Sequence, residues 1–196
     1  EFQPALPRVE TLDQLALIYL CYPNNPTGAD GSREYVQKVI DLARETSAMV
    51  IMDIAYADFI PGNGKSKAFS IFELDGGDEV GIEVGSFSKP FSMTGDRISW
   101  VAIKNPRAAE FWLRYRANRD SGASNYDQAG ALAALTDPAV KQITSKIFAT
   151  YGRRADILRN GLDKLGFQWS GLSNTPYAWF RTPAEDDAAA AALVLE

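Results

Sequence analysis

The side chains best suited to chemistry in this 196-residue chain follow three short apolar runs. Asn25 lies in the proline-rich turn after the first run, Asp53 ends the second, and Tyr56 follows three residues later. The third run is followed by Ser86, Ser88, Lys89 and Arg97. An amine can form a Schiff base, and a carboxylate can pair with a protonated ring nitrogen. A phenol and an amide can hydrogen-bond a phenolate, and hydroxyl and guanidinium groups can hold a phosphate.

Each of these groups has an ordinary structural explanation when it is considered alone. Asn-Pro turns, an Asp at the end of a strand and a Lys before a Pro are common in proteins of every kind. The combination is more specific, because a single ligand with an aldehyde, a ring nitrogen, a phenolate and a phosphate would use all of them. The residues therefore predict a site for pyridoxal 5'-phosphate.

The elements expected to bring these groups together are parallel strands. The apolar runs predict strands over 17–22, 48–52 and 80–84, and helical spacing predicts a helix over 32–46 with Ser32 as its N-cap. A strand-helix-strand unit normally crosses over with a right-handed connection, which makes its strands parallel. Ligands bind where the carboxyl ends of such strands meet, and the candidate residues follow those ends.

Later segments are mainly helical. The sequence predicts a short helical turn over 69–74, a fourth strand over 98–103, helices over 106–118, 125–135 and 138–165, and a strand of a second, smaller unit over 177–181.

Three other patterns are better explained as ordinary structure. Residues 61–66 suggest a phosphate-binding loop, but the glycine required five positions before the Gly-Lys pair is replaced by Phe59. The acidic segment 75–79 lacks the twelve-residue ligand pattern of a calcium loop, so we expect a solvated turn. Arg114, Arg116 and Arg119 predict a charged outer helix face rather than an anion site.

The composition limits the mechanism and the partners. The chain contains 0 His, which excludes imidazole-based catalysis and His-ligated zinc within it. A net charge of -5 argues against nucleic acid or an anionic membrane as the main partner. The apolar stretches are shorter than the about 20 residues that span a bilayer. No metal site is predicted.

Cysteine usage favours a reducing compartment. Cys21 is the single cysteine, so it cannot form a disulfide within the chain, and we interpret it as a small buried apolar side chain in a strand. No signal peptide is visible, and a cytoplasmic location is the expectation.

Three motifs resemble those of the class I and II aminotransferases of fold type I, in order and in spacing. They are YPNNPTG at 22–28, DIAY at 53–56 and SFSKPFSMTGDR at 86–97. Asn25 and Asp53 are 28 positions apart, and Lys89 and Arg97 are 8 apart, as in that family. Segments 70–73, 122–125 and above all 174–179 are similar to the LL-diaminopimelate aminotransferases within it.

The resemblance implies a role for each candidate residue. Lys89 would form the Schiff base with pyridoxal 5'-phosphate and carry the transferred proton, while Asp53 keeps the ring nitrogen protonated. Tyr56 and Asn25 would hydrogen-bond the ring oxygen. The phosphate would be held by Ser86, Ser88 and Arg97.

The resemblance also implies a three-layer α/β/α sandwich with a mostly parallel sheet. Residues 1–140 would form part of the cofactor-binding large domain, and 141–196 an interdomain helix with the beginning of a small α/β domain. The full-length protein would be a homodimer that transfers an amino group between an amino acid, here LL-2,6-diaminopimelate, and a 2-oxo acid, here 2-oxoglutarate.

We also expect the chain to be a piece of a longer protein. It starts with Glu1, and its last helical pattern has no stop signal. The ring-stacking aromatic residue, the glycine-containing phosphate segment and the substrate-binding Arg of the family are not matched within it. The isolated chain is therefore expected to be inactive.

Two other functions stay open at this point. Some transcription regulators contain an aminotransferase-like domain that binds the same cofactor as a sensor, although this chain shows no helix-turn-helix and no basic face. A lyase or a decarboxylase would share the cofactor-binding residues, because the reaction depends on which Cα bond is oriented for cleavage.

Overall fold

A computed structural model describes residues 3–6, 14–59, 68–170, 175–181, 186–188 and 192. Its main sheet has four strands in the order β1-β2-β3-β4. The strands are β1 (Leu17–Cys21), β2 (Met49–Asp53), β3 (Gly81–Ser86) and β4 (Ser99–Ile103). The phosphate-loop pattern at 61–66 lies outside the described residues.

The first three strands of this sheet are parallel. β1 pairs with β2 and β2 with β3 in parallel, whereas β4 pairs with β3 antiparallel. The register places Cys21 opposite Asp53, and Asp53 opposite Val84. The carboxyl ends of β1, β2 and β3 therefore share one edge of the sheet. This arrangement confirms the α/β fold with a mostly parallel sheet.

Helix α1 (Arg33–Thr46) connects β1 to β2 and covers one face of the sheet. Ser32 is its N-cap, since the side-chain oxygen accepts a hydrogen bond from the Tyr35 backbone N–H at 3.1 Å. The buried residues of α1 recur at helical spacing, and they are Val36, Val39, Ile40 and Ala43. They pack against the buried strand residues Leu20, Val50 and Met52 to form the main core.

The opposite face of the sheet is open at β1. Leu17 and Tyr19 lie on the face opposite the buried Leu20, because side chains alternate along a strand, and they are 50% and 59% exposed. Of the predicted three layers, the described residues thus show the sheet and the α1 layer clearly, as expected for part of a domain.

The connection between β2 and β3 contains more helix than the sequence predicts. It includes 3-10 helices at Ala57–Phe59 and Ile71–Glu73, followed by α2 (Gly77–Val80). The predicted solvated turn at 75–79 is therefore partly helical. Its acidic groups pair with basic side chains, Asp75 and Glu79 with Arg44 and Asp78 with Lys104.

Three longer helices follow β4. They are α3 (Pro106–Arg119), α4 (Asn125–Thr136) and α5 (Pro138–Lys164). Every residue of α3 is at least partly exposed, the apolar Phe111 and Leu113 included, and Arg116 pairs with Asp120 at 2.7 Å. None of the helices in the described part of the chain is long and apolar enough to cross a membrane.

A second, two-stranded sheet follows α5. β5 (Gln168–Ser170) pairs antiparallel with β6 (Trp179–Arg181). β5 was not predicted from the sequence, and β6 starts two residues later than predicted. The domain boundary at residue 140 lies inside α5, and the division of the chain into two domains stays a prediction.

Candidate functional site

Asp53 is the last residue of β2 and lies at the shared carboxyl edge of the sheet. Its Oδ2 accepts a hydrogen bond from the Tyr19 hydroxyl at 2.5 Å, and its Oδ1 accepts one from the Ala55 backbone N–H at 3.0 Å. The backbone of Asp53 is fixed as well, because its carbonyl accepts the Tyr22 N–H at 3.1 Å. The carboxylate is thus held at both oxygens by uncharged donors.

Tyr56 lies beyond Asp53, in the turn that leads into the first 3-10 helix. Its side chain is only 6% exposed, and its hydroxyl shares a hydrogen bond with the hydroxyl of Tyr177. The two rings meet edge to face with their centroids 5.1 Å apart. Tyr56 is therefore held by packing and by a polar contact from a segment 121 positions away.

Lys89 follows β3 and approaches the same tyrosine. Its Nζ lies 5.9 Å from the centre of the Tyr56 ring, a distance at which an ammonium is attracted to an aromatic face. The structure therefore brings together two of the residues singled out in the sequence, an amine and a phenol, beside the strand that ends in the carboxylate.

The loop that contains Lys89 is anchored by apolar residues. Phe87 is 6% exposed and packs with Ile98 and with Ala131 of α4. The backbone N–H of Phe87 donates to the Ile98 carbonyl at 3.3 Å, and its ring stacks on Phe91 with centroids 5.5 Å apart. This packing fixes the backbone on either side of Lys89.

Ser86, Ser88 and Arg97 belong to one hydrogen-bonded loop. The Ser88 backbone N–H donates to the Ser86 hydroxyl at 3.1 Å, and the Thr94 hydroxyl donates to the Ser88 carbonyl at 3.0 Å. Arg97 donates from one guanidinium nitrogen to the Thr94 carbonyl at 3.0 Å and is exposed. Its φ of 53° is in the left-handed region, where the tight turn places it.

Asn25 lies in the turn after β1, between two cis peptide bonds, Tyr22-Pro23 and Asn25-Pro26. It is exposed, whereas Asn24 closes the turn by accepting a hydrogen bond from the Thr27 hydroxyl at 2.8 Å. The turn brings Asn25 to the edge of the sheet that Asp53 occupies. The described contact of Asn25 is through its backbone, toward the Cys21 thiol.

The local environment keeps two tyrosine hydroxyls and one cysteine thiol near this edge protonated. Partial burial, the hydrogen bond to Asp53 and its negative charge raise the pKa of Tyr19. Burial and the contact with Tyr56 raise the pKa of Tyr177. Burial also raises the pKa of the Cys21 thiol, which lies partly buried at the end of β1. At neutral pH these groups are uncharged, and the tyrosines are hydrogen-bond donors.

Tyr19 and Tyr177 belong to the site but were not predicted from the sequence. Tyr19 falls inside an apolar run and has no motif around it. Tyr177 lies at the start of a predicted strand, in the segment 174–179 that carried the narrower family resemblance. Strand alternation offered one signal, since Tyr19 and Cys21 must share a face of the sheet and Cys21 pairs with Asp53.

The donor set fits pyridoxal 5'-phosphate. A carboxylate offers about four acceptor positions, so Asp53 can accept a further N–H although both of its oxygens are already engaged. Lys89 supplies an amine, and Arg97 uses one of its five N–H groups on the Thr94 carbonyl. The roles assigned to these residues stay a prediction.

The chain resembles known proteins in family, sequence and structure. A family model for "Aminotransferase class I and II" matches residues 4–196. The chain is 34% identical over 186 residues to an LL-diaminopimelate aminotransferase of Protochlamydia amoebophila, with 90% of this chain and 44% of the relative covered. It is 33% identical over 198 residues to the chloroplastic LL-diaminopimelate aminotransferase of Arabidopsis thaliana, with 97% and 42% covered.

Solved structures agree with this result. The L,L-diaminopimelate aminotransferase from Chlamydomonas reinhardtii matches with a TM-score of 0.79 at 34% identity, covering 92% of this chain and 45% of that one. Aspartate aminotransferase from Thermus thermophilus with maleate matches with a TM-score of 0.83 at 25% identity, covering 93% and 47%. The chain spans less than half the length of these relatives, and it belongs to the class I and II aminotransferases.

Proposed function

We propose that the protein containing this chain is a pyridoxal 5'-phosphate-dependent aminotransferase that moves an amino group between an amino acid and a 2-oxo acid. The proposal rests on the position of Lys89. Its Nζ lies 5.9 Å from the centre of the Tyr56 ring, beside the strand that ends in Asp53. An amine, a phenol and a carboxylate at one sheet edge are the groups this cofactor requires.

When bound, the cofactor supplies an aldehyde that condenses with amines and a protonated ring that withdraws electrons from the amino acid Cα. Lys89 would hold the aldehyde end of the cofactor through Nζ, and the same nitrogen would serve as the base that takes up the Cα proton. The Asp53 carboxylate would pair with the ring N–H and keep it protonated. Among the residues of this chain, the assignment gives the proton transfer to Lys89.

The remaining residues would hold the cofactor. Tyr56 and Asn25 would donate hydrogen bonds to the ring oxygen. The hydroxyls of Ser86 and Ser88 and the guanidinium of Arg97 would hold the phosphate, with the Thr94 carbonyl orienting Arg97.

We infer that the substrate is LL-2,6-diaminopimelate, with 2-oxoglutarate as amino acceptor, and that the reaction serves lysine biosynthesis. Relatives of that name at 34% and 33% identity support this inference. We further propose a cytoplasmic homodimer, with residues 1–140 in the large domain and 141–196 leading into the small one. Cys21, which is free, suits a reducing compartment.

An amino-acid panel on the full-length protein tests this function. We expect kcat/KM to be highest for LL-2,6-diaminopimelate among diaminopimelate, aspartate, alanine and aromatic amino acids. Glutamate and the new oxo acid should form in equal amounts, which separates transfer from a lyase or decarboxylase reaction. Lys89→Ala is the matched control and should be inactive. A preference for another amino acid would contradict the substrate, and absence of amino transfer would contradict the activity.

A further inference from the structure

A hydrogen bond across two neighbouring strands orients the carboxylate of the candidate site. Tyr19 in β1 and Asp53 in β2 lie on the same face of the sheet, because Tyr19 pairs with Ile51 and side chains two positions apart share a face. The Tyr19 hydroxyl donates to Asp53 Oδ2 at 2.5 Å. On the other side, the Ala55 N–H holds Oδ1 at 3.0 Å.

We propose that Tyr19 is a positioning residue, whose hydroxyl holds the Asp53 carboxylate in the orientation that pairs with the protonated ring nitrogen of the cofactor. The inference deepens the proposed function and rests on it. Tyr19 contacts the Asp53 carboxylate. The contacts with the cofactor itself belong to the residues named above.

The contact has the properties that such a role requires. A hydrogen bond to an ionised acceptor is stronger than one between neutral groups, so it restrains the rotation of the carboxylate. With one donor on each oxygen, neither oxygen can turn away without losing a partner. Tyr19 also stays protonated at neutral pH, because partial burial and the neighbouring Asp53 charge raise its pKa.

The position of Tyr19 separates this role from a purely structural one. Its side chain lies on the sheet face opposite α1, away from the main core formed by residues such as Leu20 and Val50. Removing the hydroxyl therefore leaves the packing of that core unchanged. The loss of the hydroxyl should instead affect the orientation of the Asp53 carboxylate.

Cofactor binding by the full-length protein provides the test. Apoprotein is titrated with pyridoxal 5'-phosphate, and the visible absorbance of the bound cofactor is followed against pH. In Tyr19→Phe we expect the Kd to rise about tenfold, because the freed carboxylate must then be ordered when the cofactor binds. Tyr115→Phe, which removes a hydroxyl from α3, is the matched control and should match the wild type.

The pH profile gives a second readout. When the ring proton is held less firmly, the cofactor carries less positive charge. The Lys89 nitrogen bound to it then keeps its own proton to higher pH. The absorbance midpoint of Tyr19→Phe should therefore move upward, in the same direction as that of Asp53→Asn but by less.

Three results would overturn the inference. In the first, Tyr19→Phe matches Tyr115→Phe in Kd and in midpoint. In the second, its Kd rises together with a fall in thermal stability while the midpoint is unchanged, which would indicate a structural role. In the third, the wild type shows no absorbance of bound cofactor, and the proposed function fails together with the inference.

Discussion

Asp53 combines a negative charge with a fixed orientation at the edge where three parallel strands end. Both of its hydrogen-bond donors, the Tyr19 hydroxyl and the Ala55 backbone N–H, are uncharged. The carboxylate charge is therefore not neutralised by these partners and remains available to a cationic ligand group. This property suits a residue that keeps a ring nitrogen protonated.

Replacing Asp53 with Asn keeps the size of the side chain and removes its charge. In the full-length protein we expect kcat/KM for amino transfer to fall at least about a hundredfold, which equals about 2.7 kcal/mol in the barrier. Steady-state kinetics measure the change. Asp58→Asn, in the neighbouring 3-10 helix, is the control and should stay close to wild type. A loss of less than about tenfold in Asp53→Asn would argue against its electrostatic role.

At the scale of elements, the connection between β2 and β3 depends on a close backbone approach. An added Cβ at Gly77, the first residue of α2, would lie 2.1 Å from the Ile71 carbonyl oxygen. Backbone atoms cannot rotate away as a flexible side chain can. The helical turn of α2 therefore tolerates only glycine at this position.

Gly77→Ala should destabilise the protein by about 1–3 kcal/mol, since the new methyl group displaces the 3-10 helix that contains Ile71. Gly161→Ala is the matched control, because an added Cβ there meets nothing within 4 Å, inside helix α5. That change should stabilise by about 0.5–1 kcal/mol through helix propensity. Thermal unfolding of both variants checks the pair. Equal stabilities would contradict the described packing.

A buried tyrosine at the junction of β1 and α1 should make the protein less stable in alkali. Tyr22 is 5% exposed and meets the Tyr35 ring edge to face, with centroids 6.3 Å apart. Burial, with smaller contributions from Tyr35 and Asp30, raises the pKa of Tyr22 to about 12. The unfolded chain loses this proton near pH 10, before the folded protein does. Above that pH the folded state binds more protons, so the free energy of unfolding falls as pH increases.

This loss should begin near pH 10 and be complete once the pH has passed about 12. Denaturant unfolding across that interval measures it. Tyr22→Phe should have a shallower slope than wild type, while Tyr126→Phe, whose side chain is 91% exposed, should keep the wild-type slope. A wild-type slope in Tyr22→Phe would show that the phenol is not protected.

At the scale of the whole molecule, the chain presents apolar surface that a complete domain would cover. Leu17 and Tyr19 lie on the open face of the sheet, and Leu132 and Leu135 of α4 are 62% and 66% exposed. The chain covers 44% of its Protochlamydia relative. The isolated 196-residue chain should therefore self-associate and show no amino-transfer turnover.

Sedimentation and a coupled transaminase assay, run beside the full-length protein, check this expectation. Leu17→Lys should reduce the association, because it places a charge on the open face of β1. A monomeric chain with turnover comparable to that of the full-length protein would contradict the expectation.

Much of the fold could be predicted from the sequence because the signals are local. Apolar runs and caps predicted β1 to β4 and α1 with ends within about two residues of those observed. The three residues of β5 were too few to give a pattern, and the antiparallel direction of β4 depends on pairing rather than on local sequence.

The residues of the candidate site show the same difference between local signals and contacts that depend on the fold. Asp53, Tyr56 and Lys89 were found because they follow apolar strands at spacings that resemble a family pattern. Tyr19 and Tyr177 act through contacts made by sheet register and by a segment 121 positions away from Tyr56. Local sequence indicates at most the sheet face that Tyr19 shares with Cys21, and it identifies neither the partner strand nor the distant segment.

Chemical reduction shows whether Lys89 is the residue that holds the cofactor. Full-length protein loaded with pyridoxal 5'-phosphate is reduced with borohydride and digested, and its peptides are mapped by mass spectrometry. We expect a pyridoxyl group on the peptide that contains Lys89, and none on that peptide in Lys89→Arg. A label on another lysine, or no label in the wild type, would contradict it.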